Sequence, residues 1–286
     1  MEKINGELKS VYDKDIAEYG LEQIFDGVEI IGYNAFSGCN NLDAVLIPNS
    51  VKKIDGHAFC GCSLTSVVIP DSVISIGEDA FSHCENLLSA SIGSGVKEFG
   101  EYAFYGCRNL KRLKISDGVK SIGDSAFAKC RKLSFVEFPP SIKTIGEGAF
   151  FGCEDLSFVK FEEGLKTIFE AAFKECQSLK EIKFPKSLDG IWQDAFSMCN
   201  GLEKVSFASN FKQIGQWDKF FSNCENLKEI EILDTGKPIR RSNINKNLIT
   251  LTFRKCDKSK LMGQQNPSPE KPASEEQPNS EEQQKQ

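Results

Sequence analysis

The sequence predicts a solenoid of stacked short coils, with a parallel β-sheet along one face and short strands and helical turns on the others. Three observations carry this. Ala-Phe-x-x-Cys or a close variant recurs with cysteines at 39, 62, 84, 107, 130, 153, 176, 199 and 224, in steps of 23, 22, 23, 23, 23, 23, 23 and 25 residues. After each cysteine comes L-x-x-V-x-I or a variant, as in Leu133, Val136 and Phe138. A turn rich in Pro, Ser, Gly and Asp then leads into V-x-x-I-G, as in Val119, Ile122 and Gly123. Self-similarity at a fixed period of about 20–50 residues is the mark of stacked-repeat architectures.

In chain order, residues 1–25 carry no such unit and are expected to form an N-terminal cap. Within them "DKDIAEYGLEQIF" has helical spacing at Ile16, Tyr19 and Ile24. Residues 26–233 hold the repeats. In each unit the apolar positions three and five after the leucine share one face of a strand, because side chains alternate with period two. Turns such as "PNS", "PDS" and "SDG" stop the strand. The Ala-Phe-x-x-Cys piece is too short for an independent helix and is expected to be one helical turn with Ala, Phe and Cys inward. The glycine after the isoleucine, at 32, 77, 100, 123, 146 and 215, suggests a corner with positive φ. Asp55, Phe169 and Trp192 stand at the same place, so that conformation is not obligatory there. No unit can bury its own apolar face, so neighbours must cover it, with strands about 4.8 Å apart. Residues 234–256 are expected to cap the other end, with "NLITLTF" as a last strand. Residues 257–286, rich in Pro, Ser, Glu and Gln, are expected to be a disordered acidic tail, since they hold too little apolar area to offset ordering entropy.

L-x-x-V-x-I followed by P-x-S-V-x-x-I-G-x-x-A-F-x-x-C on a 23-residue repeat resembles the BspA-like leucine-rich repeat family, over roughly Asp26 to Leu233. The resemblance implies a curved leucine-rich repeat solenoid with the first strand of each unit on the concave face. It also implies a role in adhesion at cell surfaces. Where other leucine-rich repeats carry an asparagine ladder, this chain has Ser50, Ser72, Gly95, Gly118, Ser141, Gly164, Ser187 and Asn210. The backbone groups that asparagine would satisfy need other partners.

The chemistry-bearing residues point away from an enzyme. A formal net charge of −6 disfavours general binding to nucleic acid or anionic membranes. No run of about 18 apolar residues is present, so no transmembrane helix is expected. The N-terminal segment has no apolar h-region of a secretory signal. A cytoplasmic monomer is expected, the alternative being a surface or exported protein without a recognisable signal. Nine cysteines, one per layer and pointing the same way, cannot converge on a metal. Their parallel Cβ directions suit disulfides poorly. Burial as a structural ladder is favoured, with the thiols as small hydrophobes packed against phenylalanine; Cys60 and Cys256 lie outside it. His57 and His83 occupy non-equivalent turn slots expected to be solvated, and no catalytic motif, cofactor loop or metal cluster is recognisable.

Alternation along the strands places two columns on the open sheet face. One runs Ala44, Ser66, Ser89, Arg112, Phe135, Phe158, Glu181, Lys204, Glu229; the other runs Leu46, Val68, Ser91, Lys114, Glu137, Lys160, Lys183, Ser206, Glu231. Phe135 and Phe158, rimmed by Arg112, Lys114, Glu137 and Lys160, are the expected contact for a protein partner, since buried aromatic anchors dominate interface energetics. Leu46 and Val68 form a second, smaller apolar patch, which the N-terminal cap could cover.

Overall fold

The structure, a computed structural model, describes residues 1–208, 210–213, 216–233 and 250–254, with backbone alone for Trp217, Leu233 and the last segment. It is a parallel β-solenoid. Each coil contributes a longer strand, a corner, a two-residue strand and a bonded turn.

The longer strands stack in register. They run from Ala44–Leu46 through Ser66–Ile69, Ser89–Ile92 and Arg112–Ile115 to Phe135–Glu137 and Phe158–Lys160. Glu181–Lys183, Lys204–Ala208, Glu229–Leu233 and Thr250–Arg254 continue the series. Equivalent residues pair in parallel, as in Val67 with Ala90 and Phe135 with Phe158. The strand expected from "NLITLTF" is there, pairing with Glu229–Leu233. The rest of the expected C-terminal cap, and the expected tail 257–286, lie outside the described residues.

The second face is built from pairs such as Lys53–Ile54, Ser121–Ile122 and Thr144–Ile145, again parallel and in register. Its isoleucines are buried, as are the valine, leucine or isoleucine three residues before them.

The third face differs from the expected helical turn. Hydrogen bonds step back three residues, as in Ala35 N–H to Gly32 O (3.1 Å), Ser37 N–H to Asn34 O (3.0 Å) and Cys39 N–H to Phe36 O (3.0 Å). Alternate N–H groups instead point to the next layer: Asn34 to Gly56 O (3.1 Å), Phe36 to Ala58 O (2.7 Å) and Gly38 to Cys60 O (2.8 Å). That alternation needs left-handed backbone before the alanine and again before the cysteine. His57 (φ 53°), Tyr102 (φ 55°) and Asp194 (φ 56°) fill the first slot; Gly61 (φ 68°), His83 (φ 56°) and Lys129 (φ 62°) fill the second. A non-glycine residue there costs about 1–2 kcal/mol, offset by the interlayer bond its N–H gains.

Positive φ therefore belongs to these slots and not to the glycine after the isoleucine, which corrects the expectation from sequence. Gly77, Gly100 and Gly123 are required by proximity: a Cβ on them would lie 2.5 Å from Gly56 N, 2.4 Å from Gly77 C and 2.4 Å from Phe99 O. Where the asparagine ladder is missing, serine takes over part of the task. Gly118 N–H donates to Ser141 Oγ (2.9 Å) and Gly164 N–H to Ser187 Oγ (2.8 Å), one layer on.

The N-terminal segment holds the helix Asp13–Phe25, broken at Gly20 (φ 69°). Tyr19, which shares the helical spacing of Ile16 and Ile24, is exposed, while Ile24 and Phe25 are buried and Ile16 packs on the core. Phe25 stacks on Phe36 at 5.7 Å, so the helix extends the aromatic column. Before it stands a hairpin, Glu2–Ile4 with Glu7–Ser10, whose second strand pairs parallel with Ile30–Ile31. The sequence signal for it is Asn5-Gly6, both left-handed (φ 50° and 77°), the pair that a two-residue I′ turn demands.

Candidate functional site

The interior is two columns thick at the turn face. Phe36, Phe59, Phe81, Phe104, Phe127, Phe150, Phe173 and Phe196 are wholly buried. Adjacent rings are nearly parallel, for example Phe81 on Phe104 at 4.9 Å and Phe150 on Phe173 at 5.2 Å.

Beside them runs the cysteine column. Each thiol donates to the carbonyl of the phenylalanine one layer back: Cys62 Sγ to Phe36 O (2.9 Å), Cys107 to Phe81 O (3.1 Å), Cys153 to Phe127 O (3.2 Å), Cys199 to Phe173 O (3.1 Å) and Cys224 to Phe196 O (3.0 Å). Cys39, Cys84, Cys130 and Cys176 make the same bond, Cys39 to Val11 O because no repeat precedes it. The cysteine is thus a hydrogen-bond donor as well as filling. Alanine could not replace that donor, and the carbonyls it serves are buried. Burial pushes Cys39 up to about 11 and Cys62 to about 12 and raises Cys84, Cys130, Cys153, Cys176 and Cys199 as well, so these members hold few nucleophilic thiolates near neutral pH; at the column's end the hydrogen bond with Cys199 lowers Cys224. The described cysteines are all free thiols. Cys60 stands apart, half-buried, with its Sγ 3.2 Å from Ser82 Oγ; Cys256 is outside the described residues.

The two histidines do not meet a nucleophile. His83 is exposed, its ring edge-on to Tyr105 at 5.4 Å. His57 is half-buried, edge-on to Tyr33 at 5.2 Å, with Nε2 4.0 Å from Asp79 Oδ2. Among the described residues no group of three or more His, Cys, Asp or Glu is placed to hold a metal ion. No helix among them is long and apolar enough to cross a membrane.

The open face of the longer strands is where side chains converge. Phe135 and Phe158 sit directly opposite each other with ring centroids 5.4 Å apart and planes 10° from parallel, 42% and 47% exposed. Lys160 lies opposite Glu137 in the same register, its Nζ 2.8 Å from Glu162 Oε1 and 3.9 Å from Glu137 Oε1. The hydrogen bond to Glu162 is the larger of the causes that raise the Lys160 ammonium above its usual range. Arg112 and Lys114, on the strand one layer earlier, are exposed and have no carboxylate within ion-pair distance among the described residues. Leu46 and Val68 are also open, and no described part of the N-terminal segment covers them. At the far end Ser206 and Glu231 depart from their expected outward place. Both are buried; Ser206 Oγ donates to Glu231 Oε2 (3.1 Å), and Lys204 Nζ lies 3.1 Å from the same oxygen. A carboxylate at such depth is tolerated because it is paired.

Cross-layer backbone bonding, a continuous aromatic column and one apolar strand face per coil define a leucine-rich repeat solenoid. The family model of the BspA type leucine rich repeat region matches residues 22–134 and 120–252, and the chain belongs to that family. Among solved structures it is similar to a leucine rich cell surface protein from Faecalibacterium prausnitzii A2-165, at 25% identity and a TM-score of 0.50, over 64% of this chain and 59% of that one. The chain thus spans well under two thirds of that protein's length. A leucine-rich repeat protein from Bacteroides ovatus matches at 23% identity and a TM-score of 0.43, over 80% and 76% of the two chains. No curated protein matches the chain.

Proposed function

We propose that the chain is a non-catalytic recognition module that binds a partner protein through the sheet of longer strands, centred on Phe135 and Phe158. The observation that carries this is the exposed stacked pair itself, whose neighbours on the adjacent strands of that face are mostly charged, with Leu46 and Val68 lying some layers away. Cross-strand aromatic packing accounts for about 0.2–1 kcal/mol of stability, a small return for two half-exposed rings. Docked against a partner, the same rings would serve as desolvated anchors, with Arg112, Lys114, Glu137 and Lys160 as the rim. Membership of a repeat family whose fold is an interaction scaffold supports the absence of catalysis.

A second setting is a surface or exported adhesin that binds host or neighbouring-cell proteins. It is supported by the similarity to a cell surface protein and disfavours the cytoplasmic scaffold expected from the sequence.

The test is photo-cross-linking in the source cell from the site of Phe135, read by mass spectrometry, with Phe158→Ser in the second arm. One dominant partner is expected, lost on Phe158→Ser and retained in a variant altered only at the exposed turn residue His83. Cross-links unchanged by Phe158→Ser would remove this face as the site.

A further inference from the structure

Charged side chains in neighbouring layers of this solenoid are usually complementary. Arg131 reaches Glu154 (3.2 Å), Lys132 reaches Asp155 (3.1 Å) and Lys180 reaches Glu203 (3.8 Å), each one layer on. The short-strand face breaks the rule. Lys97, Lys120, Lys143 and Lys166 occupy the same place in four successive layers, all exposed. They are directly opposite one another, since Lys120 N–H donates to Lys97 O (2.7 Å), Lys143 to Lys120 O (2.8 Å) and Lys166 to Lys143 O (2.8 Å). Strands in a sheet are about 4.8 Å apart, so four lysines follow one another in a single file along the coils. Like charges set opposite in a sheet are destabilising. Lys166 alone finds a carboxylate, Asp189 at 3.3 Å. Lys97 Nζ turns to Ser94 O (3.2 Å), and neither Lys120 nor Lys143 has an ion-pair partner among the described residues.

We infer that this file binds a narrow linear polyanion, and that its ligand is a sulfated polysaccharide. The charge pattern chooses the ligand. A parallel file of carboxylates, Glu101, Asp124, Glu147 and Glu170, runs four residues further along the same coils and is exposed as well. A wide polyanion, such as duplex DNA or an anionic bilayer, would meet that second file and be repelled. A chain one charge wide would not. Single-stranded nucleic acid is narrow enough, but it gains its affinity from bases stacked on aromatic side chains. The residues that follow Lys120, Lys143 and Lys166 are Ser121, Thr144 and Thr167, half-exposed hydroxyls suited to sulfate oxygens. This surface is separate from the open face of Phe135 and Phe158, so the two assignments stand or fall independently.

The test is fluorescence anisotropy of a labelled heparin octasaccharide titrated with the full chain, with the double variant Lys120→Gln, Lys143→Gln as the second arm. The full chain is expected to bind. The double variant should lose at least about tenfold in affinity, with the slope of log affinity on log salt shallower by about two, since two neutralised charges no longer release counterions. Its melting temperature should be unchanged or higher, because a repulsion is gone. Lys120→Arg with Lys143→Arg should retain binding, and Arg112→Gln with Lys114→Gln on the opposite sheet should not reduce it. The inference is overturned if the full chain does not bind, if the glutamine variant binds as well as the full chain, if the Arg112, Lys114 variant loses as much, or if an oligo(dT) of equal length binds as tightly.

Discussion

Phe127→Ala is expected to destabilise the solenoid by about 3–5 kcal/mol, the range for emptying a fully buried aromatic site. Phe127 is wholly buried between Phe104 (5.2 Å) and Phe150 (5.4 Å), with Phe99 edge-on at 5.3 Å. Three ring contacts go at once, and neighbouring coils cannot close the gap without breaking the bonds from Phe104 N–H to Ala126 O and Phe127 N–H to Ala149 O. In a repeat array each coil is held only by its neighbours. The loss should therefore be local as well as large, with amide protection at Phe104, Phe127 and Phe150 collapsing before that of the coils at either end. Urea unfolding with native-state hydrogen exchange reads both. Phe135→Ala supplies the contrast, because that ring is stacked but open to solvent and should cost no more than about 1 kcal/mol. A Phe127→Ala loss as small as that of Phe135→Ala would mean the column is not the spine of the fold.

Gly100→Val is the second large effect, and its cause is crowding. A Cβ at Gly100 meets Gly77 C at 2.4 Å and Glu78 N at 2.5 Å, both backbone atoms. Relief requires separating two coils that are hydrogen-bonded through Gly100 N–H to Ile76 O at 2.9 Å. Overpacking of this kind typically costs about 1–3 kcal/mol, and a β-branched residue should reach the top of that range. Gly190→Ala should be neutral or slightly stabilising, because the nearest atom to its new methyl would be Gln213 Oε1 at 3.6 Å and the unfolded chain loses freedom. Thermal melts of the two variants side by side decide it. Equal melting temperatures would show that layer spacing tolerates a side chain there.

Much of the architecture was legible because it is periodic. The alternation after each cysteine put Val136 and Phe138 inside and Phe135 and Glu137 outside, and the structure places them so. What could not be read was how one layer meets the next. Gly100 looks like a turn residue in one dimension, and only stacking shows that it is a contact residue. The thiol of Cys130 looks like a small hydrophobe, since its acceptor, Phe104 O, is 26 residues away. Tyr19 follows the helical period, but Gly20 ends that period one residue later. Asn5-Gly6 carries a hairpin signal of its own, outside the repeat period. The aromatic pair at 135 and 158 was visible as two exceptions in a polar column. The lysine file lay outside the strand columns, at the position just before the two-residue strands, where alternation is too short to register.

The most direct test of the stacked-core account is thiol labelling of the native chain with a small alkylating reagent at pH 8, read peptide by peptide. Cys60, half-buried and off the column, should react before the buried column cysteines. Cys62, Cys84, Cys107, Cys130, Cys153, Cys176 and Cys199 should stay unmodified until denaturant is added, because they are buried out of the reagent's reach. After unfolding, all eleven cysteines of the sequence should react. Column cysteines that label as fast as Cys60 in the native chain, or that prove to be joined in covalent pairs, would contradict the account.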